Sequence, residues 1–125
     1  MSEGVKCSCG SDHVGIFPCA GASNVGQLSN AVAVELHKQG TGTMMCTVGI
    51  GGKKTGLLKS AEGCERIIVI DGCPVNCAKA TMEEAGIEID RHILLSEQLD
   101  IKKNKDLDLD PQQVQDVLAK VSELL

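Results

Sequence analysis

The chain has 125 residues, 42% of them hydrophobic, a single aromatic residue (Phe17), no Trp or Tyr, and a formal net charge of −5. That length suffices for one domain with one core, which must be built from Val, Ile, Leu, Ala and Met. The acidic balance and the missing rings speak against phosphate-backbone binding and base-stacking platforms, and no apolar run approaches the roughly 20 residues of a membrane span.

Residues 1–12 are polar and glycine-rich and read as a flexible tail carrying Cys7 and Cys9. Met1 to Lys6 contains no apolar signal core, so the protein is expected to be cytoplasmic. Seven cysteines in a reducing compartment are metal ligands, redox groups or buried thiols sooner than structural disulfides. Residues 13–125 read as a single domain without an internal linker.

His13 to Phe17 forms a first strand stopped by Pro18. Ser23 to Gln39 forms a helix, with Val25, Leu28, Val32 and Leu36 at helical spacing, Ser23 or Asn24 as its cap, and Gly40 as its stop. Thr43 to Val48 reads as a second strand, Gly49 to Lys54 as a flexible loop, and Thr55 to Glu62 as a short helix. The apolar run Arg66 to Ile70 suits a parallel strand covered on both faces. Asn76 to Ala85 reads as a helix ended by Gly86, and Ile87 to Ile93 holds a fourth strand. Leu95 to Leu109 is polar, charged and unassigned. Asp110-Pro111 then opens a last helix whose stripe is Val114, Val117, Leu118, Val121 and Leu124.

Strands alternating with helices imply a three-layer α/β/α domain. Its four-stranded sheet should be mostly parallel, Rossmann- or flavodoxin-like, in the order 2-1-3-4. That order sets Cys19, Cys46 and Cys73 on three adjacent strand ends, the edge where open sheets bind ligands, and Cys77 joins from the following helix. Four converging thiols point to a metal site. With Pro74 at the first helical position, Cys73 and Cys77 would face one side, one turn apart. A helix N-terminus favours thiolate over thiol, for this pair and for Cys19. Three residues between Cys73 and Cys77 weaken a thioredoxin-type reading.

Cys64 is most simply a small buried hydrophobe, an alternative that Cys46 shares. Cys7-Ser8-Cys9 is too closely spaced for the common metal pattern. Gly21 to Leu28 has the glycine spacing of a phosphate loop, but Gln27 and Leu28 replace its lysine and hydroxyl, which leaves only a backbone anion cradle. The loop has no arginine for a cysteine phosphatase built on Cys19. His13, His37 and His92 share no ligand spacing. Lys53-Lys54 and Lys102-Lys103-Asn104-Lys105 read as solvated loops. Asp71 is either an ordinary turn residue or an acceptor for the loop backbone.

Phe17-Pro18-Cys19-Ala20-Gly21-Ala22-Ser23-Asn24-Val25-Gly26-Gln27, Cys46 with Gly49-Ile50-Gly51-Gly52, and Ile70-Asp71-Gly72-Cys73-Pro74-Val75-Asn76-Cys77-Ala78 together resemble the DGC domain family. That family is named for its central Asp-Gly-Cys motif and is described as zinc-binding through four cysteines. The resemblance runs from about His13 to the last helix. By position it implies Cys19, Cys46, Cys73 and Cys77 as ligands and leaves out Cys7, Cys9 and Cys64. A four-cysteine zinc is closed and tetrahedral, a structural arrangement with a formal charge of about −2 that Lys79, Lys53 or Lys54 could offset. Thiolates also suit an iron–sulfur cluster or copper(I).

The resulting expectation is a zinc-binding protein of undefined process, with a metal ion as partner and neither nucleic acid nor membrane. A thiol redox or sulfur-handling enzyme using Cys19 or Cys73/Cys77 is one alternative. Metal or sulfur trafficking through Cys7-Ser8-Cys9 is another. No complete catalytic motif is present, so the balance leans away from an enzyme.

Overall fold

The computed structural model describes residues 13–125. Its elements in chain order are β1 (Val14–Pro18), α1 (Asn24–Lys38), β2 (Thr43–Met44), α2 (Thr47–Gly51), α3 (Thr55–Glu62), β3 (Arg66–Asp71), α4 (Cys77–Glu84), β4 (Arg91–Leu94), α5 (Leu95–Gln98) and α6 (Pro111–Leu124). All pairings are parallel and the order is β2-β1-β3-β4, as the alternation of strands and helices requires.

β3 lies at the centre and its side chains alternate between two cores. Ile68 and Ile70 join Ile16, Leu28, Val32, Leu36, Val117 and Val121 under α1 and α6. Ile67 and Val69 join Phe17, Ile50, Ala61, Ala78 and Met82 under α2, α3 and α4. Phe17 is completely buried, so the one aromatic side chain fills the second core. No helix among the described residues is long and apolar enough to cross a membrane.

Three boundaries differ from the sequence expectation. The sequence carries the second strand to Val48, but the strand stops at Met44 and Thr47–Gly51 is helical. Pro18 is the reason. Met45 donates its N–H to the Ile16 carbonyl, and the next rung needs a donor from position 18, where proline has none. The chain therefore leaves the sheet, and Cys46 caps α2. The fourth strand starts at Arg91 and not at Ile87, because the Asp90 carboxylate takes the Ile67 N–H. Ile87 instead packs into the second core. Finally, Pro74 is in a turn and α4 begins at Cys77, so Cys73 and Cys77 are not successive positions on one helix face.

Candidate metal centre

The strand ends are held close by two glycines. A Cβ on Gly72 would lie 2.5 Å from the Val25 carbonyl, and one on Gly26 would lie 2.6 Å from the Gly21 oxygen. Real Cβ atoms do not approach backbone so closely. The Asp-Gly-Cys turn and the loop after β1 therefore press directly on the first turn of α1. Ser23 caps that helix, its Oγ accepting from Gly26 N at 3.1 Å. Ser29, buried within α1, donates its hydroxyl to the Ile70 carbonyl at 2.9 Å and ties the helix to β3.

Cys19 follows β1, Cys46 caps α2, Cys73 follows β3 and Cys77 opens α4. All four line one cleft of about 700 Å³. Cys19 and Cys73 are half-buried; Cys46 and Cys77 are exposed. Cys19 Sγ accepts from Gly72 N at 3.4 Å and Cys46 Sγ from Gly49 N at 3.3 Å. Lys103 Nζ lies 3.5 Å from Cys73 Sγ. The thiols share a cleft without being gathered. Among the described residues, no three His, Cys, Asp or Glu side chains are grouped so as to hold a metal ion.

Asp71 explains the helix that follows. It is 1% exposed. Oδ1 accepts from Ala78 N at 2.8 Å, Oδ2 accepts from Lys79 N at 3.0 Å, and His92 Nε2 lies 2.9 Å from Oδ2. The cap of α4 thus comes from the end of β3 and not from Asn76, which is left-handed (φ 57°) and makes no side-chain cap. This fixes the first helical residue at Cys77. It also takes helix-end donors that the sequence assigned to the thiolates, since a buried carboxylate already faces them. At α1, Ser23 Oγ takes Gly26 N, the Asn104 carbonyl takes Asn24 N, and Gln27 Nε2 donates to the Gly21 carbonyl. Two of the backbone donors of the expected anion cradle, Asn24 N and Gly26 N, are thus already taken.

The residue that sequence reasoning missed is Lys103. Asn24 Nδ2 donates to the Lys102 carbonyl at 2.8 Å, and Asn24 Oδ1 accepts from Asn104 N at 2.6 Å. These bonds seat the loop on α1 and hang Lys103 over the cleft, where Lys53, Lys54 and Lys79 do not reach. The partners are 78 and 80 residues apart, so no local pattern announced them. Two further atoms stand out. Thr47 Oγ1 and Asn76 Oδ1, each beside a cleft cysteine, are buried without a hydrogen-bond partner.

Cys64 is outside the cleft, with its Sγ 3.4 Å from the Ser60 carbonyl and 3.6 Å from Met45 Sδ, which fits a packed thiol. Cys7 and Cys9 lie outside the described residues.

A family model described as "DGC domain" matches residues 15–121. The chain is also similar to the "Anaerobic and virulence modulator AnvM" of Pseudomonas aeruginosa. The two are 31% identical over 110 residues, covering 88% of this chain and 83% of the relative. No solved structure matches the chain.

Proposed function

The chain belongs to the DGC domain family, and from that premise and the shared cleft we propose that it is a zinc-binding protein with Cys19, Cys46, Cys73 and Cys77 as ligands. The single observation that carries this is the lining of one cleft by all four side chains, drawn from two strand ends and two helix starts. The donor chemistry fits. The carboxylate of Asp71 is committed to α4 and His92, and His92 to Asp71, which leaves sulfur as the ligating element. Held by four thiolates, zinc supplies a cross-link between strand ends and no open position for water.

The chain's own part is to bring the sulfurs together. Cys46 sits at the start of a five-residue helix, and Cys73 and Cys77 flank a short turn, so the proposal requires these loops to move on the sheet to gather the sulfurs. Cys19 Sγ and Cys46 Sγ each accept a backbone N–H, and the Lys103 ammonium lies beside Cys73 Sγ. We place this protein in a reducing compartment, the cytoplasm, where such thiols stay available.

Elemental analysis of anaerobically purified protein tests the proposal, with thiols counted before and after unfolding. About one zinc per chain, and four thiols released only on unfolding or chelation, is the expected result. Iron with sulfide would replace zinc by a cluster. Metal-free protein with reactive native thiols would overturn the proposal. That outcome would favour thiol redox or sulfur chemistry at Cys19 and Cys73, a second reading supported by the bond that Cys19 Sγ accepts from Gly72 N, next to Cys73, and by Lys103 at Cys73.

A further inference from the structure

A metal held by sulfur at about 2.3 Å occupies little of a cleft this size. At about 700 Å³, the space between the strand ends is that of a small-molecule site, for which roughly 300–1,000 Å³ is usual. Its wall is largely apolar, with Pro18, Ala22, Met44, Met45, Val48 and Val75 lining it. Val48 and Val75 stand at the mouth, 84% and 66% exposed. Large apolar side chains this exposed beside a cavity are suited to covering something.

The polar groups of the wall choose the charge of that occupant. Among the described residues, Asp71 is the one carboxylate on the lining, and Ala78 N, Lys79 N and His92 take its oxygens, which leaves no carboxylate oxygen free for an organic cation. Lys103 is the one lysine there, and the Asn24 hydrogen bonds hold its loop in place. Its ammonium lies 3.5 Å from a sulfur, the Cys73 Sγ. Thr47 also lines the cleft, and its Oγ1 is buried without a hydrogen-bond partner.

From these features we propose that the cleft binds a small organic anion with an apolar body. The anionic head lies at Lys103 and the body lies across Met44, Met45, Val48 and Val75. This goes beyond the metal proposal and stands without it, because neither the apolar wall nor Lys103 is a ligand.

The test uses the full chain as purified anaerobically under reducing conditions. The probe is 8-anilinonaphthalene-1-sulfonate, an apolar body with one sulfonate, and the chain's lack of Trp and Tyr keeps the fluorescence background low. One saturable probe per chain is expected, displaced by octanoate and not by octylamine. Lys103→Met should weaken binding about fivefold, the scale of one exposed ion pair, while Lys103→Arg stays within about twofold. Lys54→Met, outside the cleft, should bind as the parent chain does. Thermal unfolding by circular dichroism checks that each variant is folded. Equal binding by folded Lys103→Met, or displacement by octylamine as readily as by octanoate, would overturn the proposal while leaving the zinc result untouched.

Discussion

Removing the Asp71 carboxylate should cost more stability than any other single change at the strand ends that leaves the backbone intact. The carboxylate is 1% exposed and serves Ala78 N, Lys79 N and His92. Asp71→Ala leaves two helix donors and an imidazole without their partner. It also removes a negative charge from the positive end of α4. Each orphaned donor costs about 1 kcal/mol or more, and the charge at the helix end adds about 1 kcal/mol, so a total of about 4 kcal/mol is expected.

Asp71→Asn keeps the shape and one acceptor oxygen, but turns an amide donor toward a donor. It should cost about 2–3 kcal/mol. His92→Ala removes one of three partners and leaves both backbone bonds, so about 1 kcal/mol is expected. Urea unfolding followed by far-ultraviolet circular dichroism, on metal-free protein, measures all three at constant m-value. The ranking is the result that matters, with Asp71→Ala costing most, Asp71→Asn less and His92→Ala least. A cost below about 1 kcal/mol for Asp71→Ala, or a His92→Ala cost equal to it, would refute the cap.

Other consequences follow from the same geometry. Gly72→Ala forces a Cβ to within 2.5 Å of the Val25 backbone and should cost about 3 kcal/mol or prevent folding, whereas Gly56→Ala on α3 meets nothing within 4 Å and should stabilise by up to about 1 kcal/mol; thermal unfolding separates the two. Asn24→Ala should free the Lys102–Asn104 loop, lowering stability by about 1–2 kcal/mol and speeding tryptic cleavage after Lys102 and Lys103, read by mass spectrometry. Cys46→Ser should lower zinc content per chain, and Cys64→Ser should leave it unchanged, since only Cys46 of the two lines the cleft; equal loss in both would contradict the ligand set.

Much of this architecture was legible from periodicity. The continuous apolar run of β3 and the helical spacing of Val25, Leu28, Val32 and Leu36 report burial that any compact fold must satisfy, the Asp-Pro pair reports the start of α6, and all three elements are present. Right-handed crossovers then left little freedom in the strand order. Cys19 and Cys73 fall at strand ends for the same reason. The early end of β2 was also written in the chain, in Pro18, but it takes the partner strand's register to see which rung lacks a donor.

By itself, the sequence determined the layers and the strand order, because those follow from local patterns of apolar residues. Only the tertiary structure decided who meets whom across the chain. It turned Asp71 from a turn residue into the cap of α4 and the partner of His92, and it took Lys103 from a solvated loop to the sulfur of Cys73. It also showed the four thiols spread around a cleft with room for more than a metal. Such contacts join residues far apart in the chain, and their geometry is set by how closely backbone can pack at Gly26 and Gly72, which no window of sequence contains.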